Sequence, residues 1–169
     1  MIIEINNLTA GHIDEKKIKR IAEKVLKGEK GRRKTVSIAF TGKVRIKELN
    51  RRYRKKNKAT DVLSFDYRAK RSVRRGNLFF RLAALRRAKA KEENKVLFAH
   101  GDSGEIVICP EKVKENAKKY GLSFKEELVR CLIHGILHLS GYDHEKSAKE
   151  EKKMRDLQNH YLKICQKLI

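Results

Sequence analysis

SFKEELVRCLIHGILHLSGYDH, residues Ser123 to His144, is the stretch on which the reading of this chain turns. Ser123 can accept the exposed amides of a helix start, and Glu126, three residues on, can reach back in a capping box. The apolar residues that follow recur at helical spacing, so the pattern predicts a helix from Phe124 to about Leu139. On such a helix His134 and His138 are four residues apart and project from one face. Gly141 lets the helix end in a sharp turn, which can bring His144 back to the same point. Three imidazoles with a fourth position left open is the arrangement of a catalytic zinc site. One zinc ion is the expected occupant; manganese, nickel and iron also suit such ligands.

The spacing matches the zinc-protease pattern H-E-x-x-H-x-x-G-x-x-H at every ligand and at the glycine. It departs at one place, where Gly135 stands for the glutamate that takes a proton from water in those proteases. Glycine inside a helix costs about 1 kcal/mol relative to alanine, so its presence suggests that space beside the metal is wanted. Peptide hydrolysis by the usual route loses its base. A phosphodiester needs less: the metal supplies hydroxide or polarises a phosphoryl oxygen, and a guanidinium takes up developing charge. His12, His100 and His160 have no comparable neighbours.

Around this element the chain reads as α+β, a small sheet of about four strands flanked by helices, with a zincin-like metal-binding helix and turn. Strands are expected at Met1 to Ile5, Val36 to Phe40, Thr60 to Phe65 and Glu105 to Cys109. Helical spacing marks Ile13 to Leu26, Val44 to Tyr53, Pro110 to Tyr120 with Gly121 closing it, and Ala148 to Leu168. One domain spanning 1–169 fits the length. Within it, residues 67–100 carry eleven basic and two acidic residues around the apolar cluster Leu78 to Leu85, and read as a basic insertion.

The chain carries 43 Lys and Arg against 21 Asp and Glu, a net charge of +22. Charge of this size favours a polyanion, because each basic side chain on a phosphate backbone releases a counterion. With 11 Phe and Tyr and no Trp, phosphate contacts rather than an extended stacking platform should dominate. No long apolar run or basic leader is present, so a cytoplasmic protein without a membrane partner is expected. Cys109, Cys131 and Cys165 are far apart and read as reduced packing residues.

HGILHLSGYDH matches without departure the hallmark His-Gly-x-Leu-His-Leu-x-Gly-Tyr-Asp-His of the YbeY family of bacterial rRNA maturation factors, which the chain resembles. TDVLSF at Thr60 to Phe65 resembles the family's Thr-Asp-Val-Leu-Ser-Phe-Pro, with Asp66 in place of the proline. GEIVIC at Gly104 to Cys109 resembles its Gly-Asp-Ile strand, with Glu105 for the aspartate. ELNRRYR places Arg54 at the family's functional arginine; the basic run itself does not prefer Arg54 over Arg51 or Arg52. The resemblance covers nearly the whole chain apart from the basic segment.

It implies that His134, His138 and His144 hold zinc, with His134 and Arg54 serving catalysis. It also implies metal-dependent cleavage of single-stranded RNA in ribosomal RNA processing, at the small-subunit rRNA 3′ end, and contact with the small ribosomal subunit or its proteins. Arg54, Lys55, Lys58, Arg71, Arg74 and Arg75 are the candidate RNA contacts. Asp143 can orient a ligand imidazole or simply form the turn; Thr60, Asp61 and Ser64 can touch substrate or cap and pack a strand. The sequence names no general base. Two other readings stay open: a metallohydrolase or peptidase with a base recruited from elsewhere, and a non-enzymatic zinc-containing RNA-binding assembly factor.

Overall fold

Side-chain alternation along the strands divides the molecule into two layers of unequal depth. In a strand Thr35–Phe40, here β2, Val36, Ile38 and Phe40 join one buried cluster while Ala39 joins another. The strand Ser103–Ile108, here β4, divides likewise, with Ile106 and Ile108 on one side and Val107 on the other. The computed structural model describes residues 1–29, 35–66 and 103–168. Its four-stranded sheet runs in the order β1-β2-β4-β3, with β1 at Ile2–Asn7 and β3 at Val62–Asp66. β1, β2 and β4 are parallel, and β3 is antiparallel to β4. The expected α+β architecture is the one observed.

Among the described residues, one face is covered by a single helix. α2 (Lys43–Arg54) sets Ile46 and Leu49 against Ala39, Leu63, Val107 and Cys109. The other face carries α1 (Glu15–Gly28), α3 (Pro110–Tyr120), α4 (Phe124–Leu139) and α5 (Ala148–Cys165), which ends in a 3-10 turn, Gln166–Leu168. Asp14 caps α1 by accepting the amide of Lys17 at 3.0 Å. The helix then buries Ile18, Ile21, Ala22, Val25 and Leu26. α3 begins on Pro110, and Gly121 closes it at φ +66°. All three cysteines are buried and free, the packing role expected of them. Among the described residues no helix is long and apolar enough to cross a membrane.

Two local departures concern β3. It starts at Val62 rather than Thr60, with Asp61 Oδ1 accepting the Val62 amide at 2.8 Å and the Asp61 carbonyl still accepting Cys109 N–H at 2.8 Å in the register of the ladder. Asp66, where the resembled motif has proline, extends the ladder opposite Gly104.

α4 lies across β3 and β4, and Gly135 is what lets it do so. A Cβ at Gly135 would stand 2.9 Å from Ile106 Cγ2, 3.2 Å from Ser64 Oγ and 3.3 Å from Val62 Cγ2. The expectation that this glycine makes room beside the metal is therefore corrected: the room is taken by the sheet. Ser64 Oγ donates to the Gly135 carbonyl at 3.1 Å across the same approach. A glutamate at this position would point into packed side chains rather than at the histidines.

Candidate metal centre

The helix that presents the histidines has the limits its sequence predicts. Ser123 accepts Glu126 N–H at 3.2 Å, and the Glu126 carboxylate accepts Ser123 N–H at 2.9 Å, so both halves of the capping box form. At the far end, Gly141 adopts φ +100°. Tyr142 N–H then reaches the Leu137 carbonyl at 3.1 Å and Gly141 N–H that of His138 at 3.0 Å, a Schellman ending. This turn returns His144 to the helix. The ring centroids of His134, His138 and His144 are 4.7, 5.1 and 5.0 Å apart pairwise, and one nitrogen from each lies within 4.8 Å of the others.

Hydrogen bonds behind the rings set their tautomers. His138 Nδ1 donates to the Tyr142 carbonyl at 3.0 Å, and His134 Nδ1 lies 3.0 Å from Gln158 Oε1. With each Nδ1 committed as a donor, the Nε2 atoms of His134 and His138, 3.1 Å apart, turn lone pairs toward each other. His144 Nδ1 is buried without a hydrogen bond. Facing lone pairs and an orphaned buried nitrogen are relieved by one cation placed among them, so the residues present fit a divalent metal. Burial, followed by the neighbouring His134 and His144, pushes His138 down to about 4. Burial also lowers His134, against the hydrogen bond it donates to Gln158. Both rings are thus neutral near pH 7, the form that ligates.

Gln158 holds His134 from α5, where it interrupts the apolar stripe of Met154, Tyr161 and Cys165. A polar residue inside such a stripe was the available signal, and reading the stripe as core alone passes over it. α5 is anchored one turn further on, where Tyr161 Oη donates to Glu29 Oε1 at 2.7 Å. Asp143 serves the turn: its Oδ1 accepts Glu145 N–H at 3.0 Å.

The triad opens into a cavity of about 790 Å³ that Arg54, Ser64, Phe65, Tyr120, Arg130 and Gln158 help to line. Arg54 Nη2 donates to Glu145 Oε1, and Lys56 Nζ lies 3.7 Å from the same oxygen. The arginine holds the Glu145 carboxyl below its usual range. Glu145 and Lys56 were not anticipated; they become visible only when α2 is docked beside the metal turn. Lys55 and Lys58 are exposed and do not line the cavity. Lys55 instead ends α2 in the left-handed conformation at φ 60°, and the Lys58 carbonyl accepts Asn50 Nδ2 at 2.8 Å. Arg71, Arg74 and Arg75, with the rest of the basic segment 67–100, lie outside the described residues.

A second cluster, Asp61, Glu127 and Cys131, also brings three donor atoms within 4.8 Å. It reads as a hydrogen-bonded tie. The Cys131 thiol donates to Asp61 Oδ2 at 3.7 Å and lies 3.9 Å from Glu127 Oε1. Asp61 accepts in addition from Asn116 Nδ2 at 3.0 Å and Thr60 Oγ1 at 3.0 Å. Burial pushes the Cys131 thiol up, away from the thiolate that a metal would need.

A family model described as "Endoribonuclease YbeY" matches residues 4–166 of the chain. Among proteins of that description, the one from Petrotoga mobilis is 37% identical over 158 residues, spanning 93% of this chain and 90% of the relative. The one from Thermodesulfovibrio yellowstonii is 42% identical over 127 residues, spanning 75% of this chain and 64% of that longer relative. The solution structure of TM1509 from Thermotoga maritima superposes with a TM-score of 0.55 at 30% identity, covering 95% of this chain and 86% of that one. Family model, relatives and fold agree, and the chain belongs to the endoribonuclease YbeY family.

Proposed function

We propose that this protein is a metal-dependent endoribonuclease that cuts single-stranded RNA during ribosomal RNA processing, with maturation of the small-subunit rRNA 3′ end as its setting. The observation that carries this reading is the convergence of His134, His138 and His144, the first two with their outward hydrogen bonds already made, in a cavity also lined by Arg54. Family membership supplies RNA as the substrate class; the basic composition, +22 overall, suits it. Zinc is the ion we assign, from the all-imidazole donor set.

A bound divalent ion supplies Lewis acidity toward a phosphoryl oxygen and toward water. The protein's own groups do the rest. His134 and His138 are kept neutral by burial and oriented by Gln158 and the Tyr142 carbonyl. Arg54 neutralises charge that develops on the phosphorane, and Glu145 keeps its guanidinium at the cavity mouth until a phosphate competes for it. Lys55 and Lys58 extend the phosphate-binding surface beyond the cavity, and the basic segment with Arg71, Arg74 and Arg75 adds positive charge for RNA and for the small ribosomal subunit. A cytoplasmic location follows from that substrate.

Cleavage of a labelled single-stranded RNA by the zinc-loaded protein, with folded His138→Ala prepared identically, tests the reading. Cutting by wild type alone is the expected result; equal cutting by both, or by neither across several divalent metals, contradicts it.

A further inference from the structure

Arg130 is the cavity-lining side chain that the metal centre leaves unexplained. It stands on α4 four residues before His134, as His134 stands four before His138, so the three share one stripe of the helix. Its ion-pair partner among the described residues is Glu127, whose Oε2 lies 3.6 Å from Nε, beyond hydrogen-bond reach, and Glu126 adds a weaker electrostatic attraction from the first turn of the helix. Arg130 Nε and Glu127 Oε2 are both buried without a hydrogen bond. Glu127 is only 3% exposed, while the Arg130 side chain keeps 40% of its surface open. A carboxylate therefore braces the guanidinium from beneath, and the fork is left to find its acceptor in the cleft. A phosphate suits it, because a guanidinium offers parallel N–H donors to two oxygens.

Helix geometry decides which phosphate. At 1.5 Å per residue, Arg130 lies about 9 Å along the axis from the midpoint of the two helical histidines. Side chains on a helix lean toward its N-terminus, which carries the guanidinium further from the metal. We propose that Arg130 binds the phosphate adjacent to the scissile one, so that the RNA strand lies along α4 with Arg54 at the reacting phosphate and Arg130 at its neighbour. This rests on the ribonuclease reading for its substrate. Arg130 is a binding residue in this account, and Glu127 positions it.

The test is binding of a labelled single-stranded RNA to the full-length zinc-loaded chain across a series of salt concentrations, its intactness checked on a gel, followed by steady-state cleavage of the same RNA. Arg130→Ala should weaken binding and reduce the slope of log affinity against log salt by about 0.7, the share of one single-strand phosphate. KM should rise several-fold with kcat little changed. Arg130→Lys should keep the slope, and Arg20→Ala, exposed on α1, should match wild type. If Arg130 only neutralises Glu127, Arg130→Ala will lower the melting temperature and leave the slope untouched, and the proposal falls. Should the alanine variant not fold, Arg130→Gln replaces it, and a wild-type slope there overturns the proposal equally. A wild type that binds but never cuts would sink the ribonuclease reading and the placement beside a scissile phosphate, while the slopes still decide whether Arg130 holds an RNA phosphate; a wild type that binds no RNA sinks both.

Discussion

Along α4, Leu132, Gly135 and Ile136 are packed against the core, whereas Arg130, His134 and His138 line the cleft. The packed face admits no added atom: one methyl at Gly135 already meets three side chains at 3.3 Å or less. The cleft face has space, and depends instead on which atoms donate and which accept. Damage to the first face should remove stability and activity together, and damage to the second should remove binding or chemistry while the fold persists.

The largest break of that contrast is Gly135→Glu, which restores the protease glutamate in sequence only. Its side chain must start from a Cβ 2.9 Å from Ile106, so we expect an insoluble or unfolded protein without peptidase activity, read by circular dichroism and a peptide assay. Gly135→Ala is the milder form. Overpacking of about 1–3 kcal/mol, in the upper part of that range because the 2.9 Å neighbour is the stiff Ile106 Cγ2, less about 1 kcal/mol of recovered helix propensity, leaves a net loss of up to about 2 kcal/mol in denaturant melts, accompanied by a matching loss of cleavage.

On the cleft face, Gln158→Ala should lower metal affinity by about 10–100-fold while the melt of the chelated protein stays near wild type. Equal affinity would mean that Gln158 does not orient His134.

Smaller is the effect of pH on the metal-free fold. His138 is lowered from 6.5 to about 4, so between these values the native state binds fewer protons than the unfolded chain. Its share of stability is complete above about pH 6.5 and is lost as pH falls toward 4. Urea melts of chelated protein should show that decline, and His138→Ala should make it shallower. The smallest change is Lys55→Gly, off both faces: relieving a left-handed lysine at φ 60° should raise stability by up to about 1 kcal/mol, seen as a higher melting temperature.

How far these faces could be read in advance follows the range of the interactions. The ends of α4, its capping box and the turn at Gly141 are set by residues within a few positions, and they stand where the sequence puts them. The histidine constellation is local too, with His144 three residues past the glycine. Gly135 was misread because its reason lies 29 residues away at Ile106 and 71 away at Ser64. Glu145 likewise meets Arg54 across 91 residues. That Lys55 ends α2 in the left-handed conformation was not legible either, because a run of basic residues does not reveal which one closes the helix.

The most direct measurement of the central claim is a calorimetric titration of zinc into chelator-stripped wild type and into folded His138→Ala. One ion per chain, bound by wild type and lost or greatly weakened in the variant, is the predicted result; no binding, or the same isotherm from both proteins, would contradict the metal centre on which the account rests.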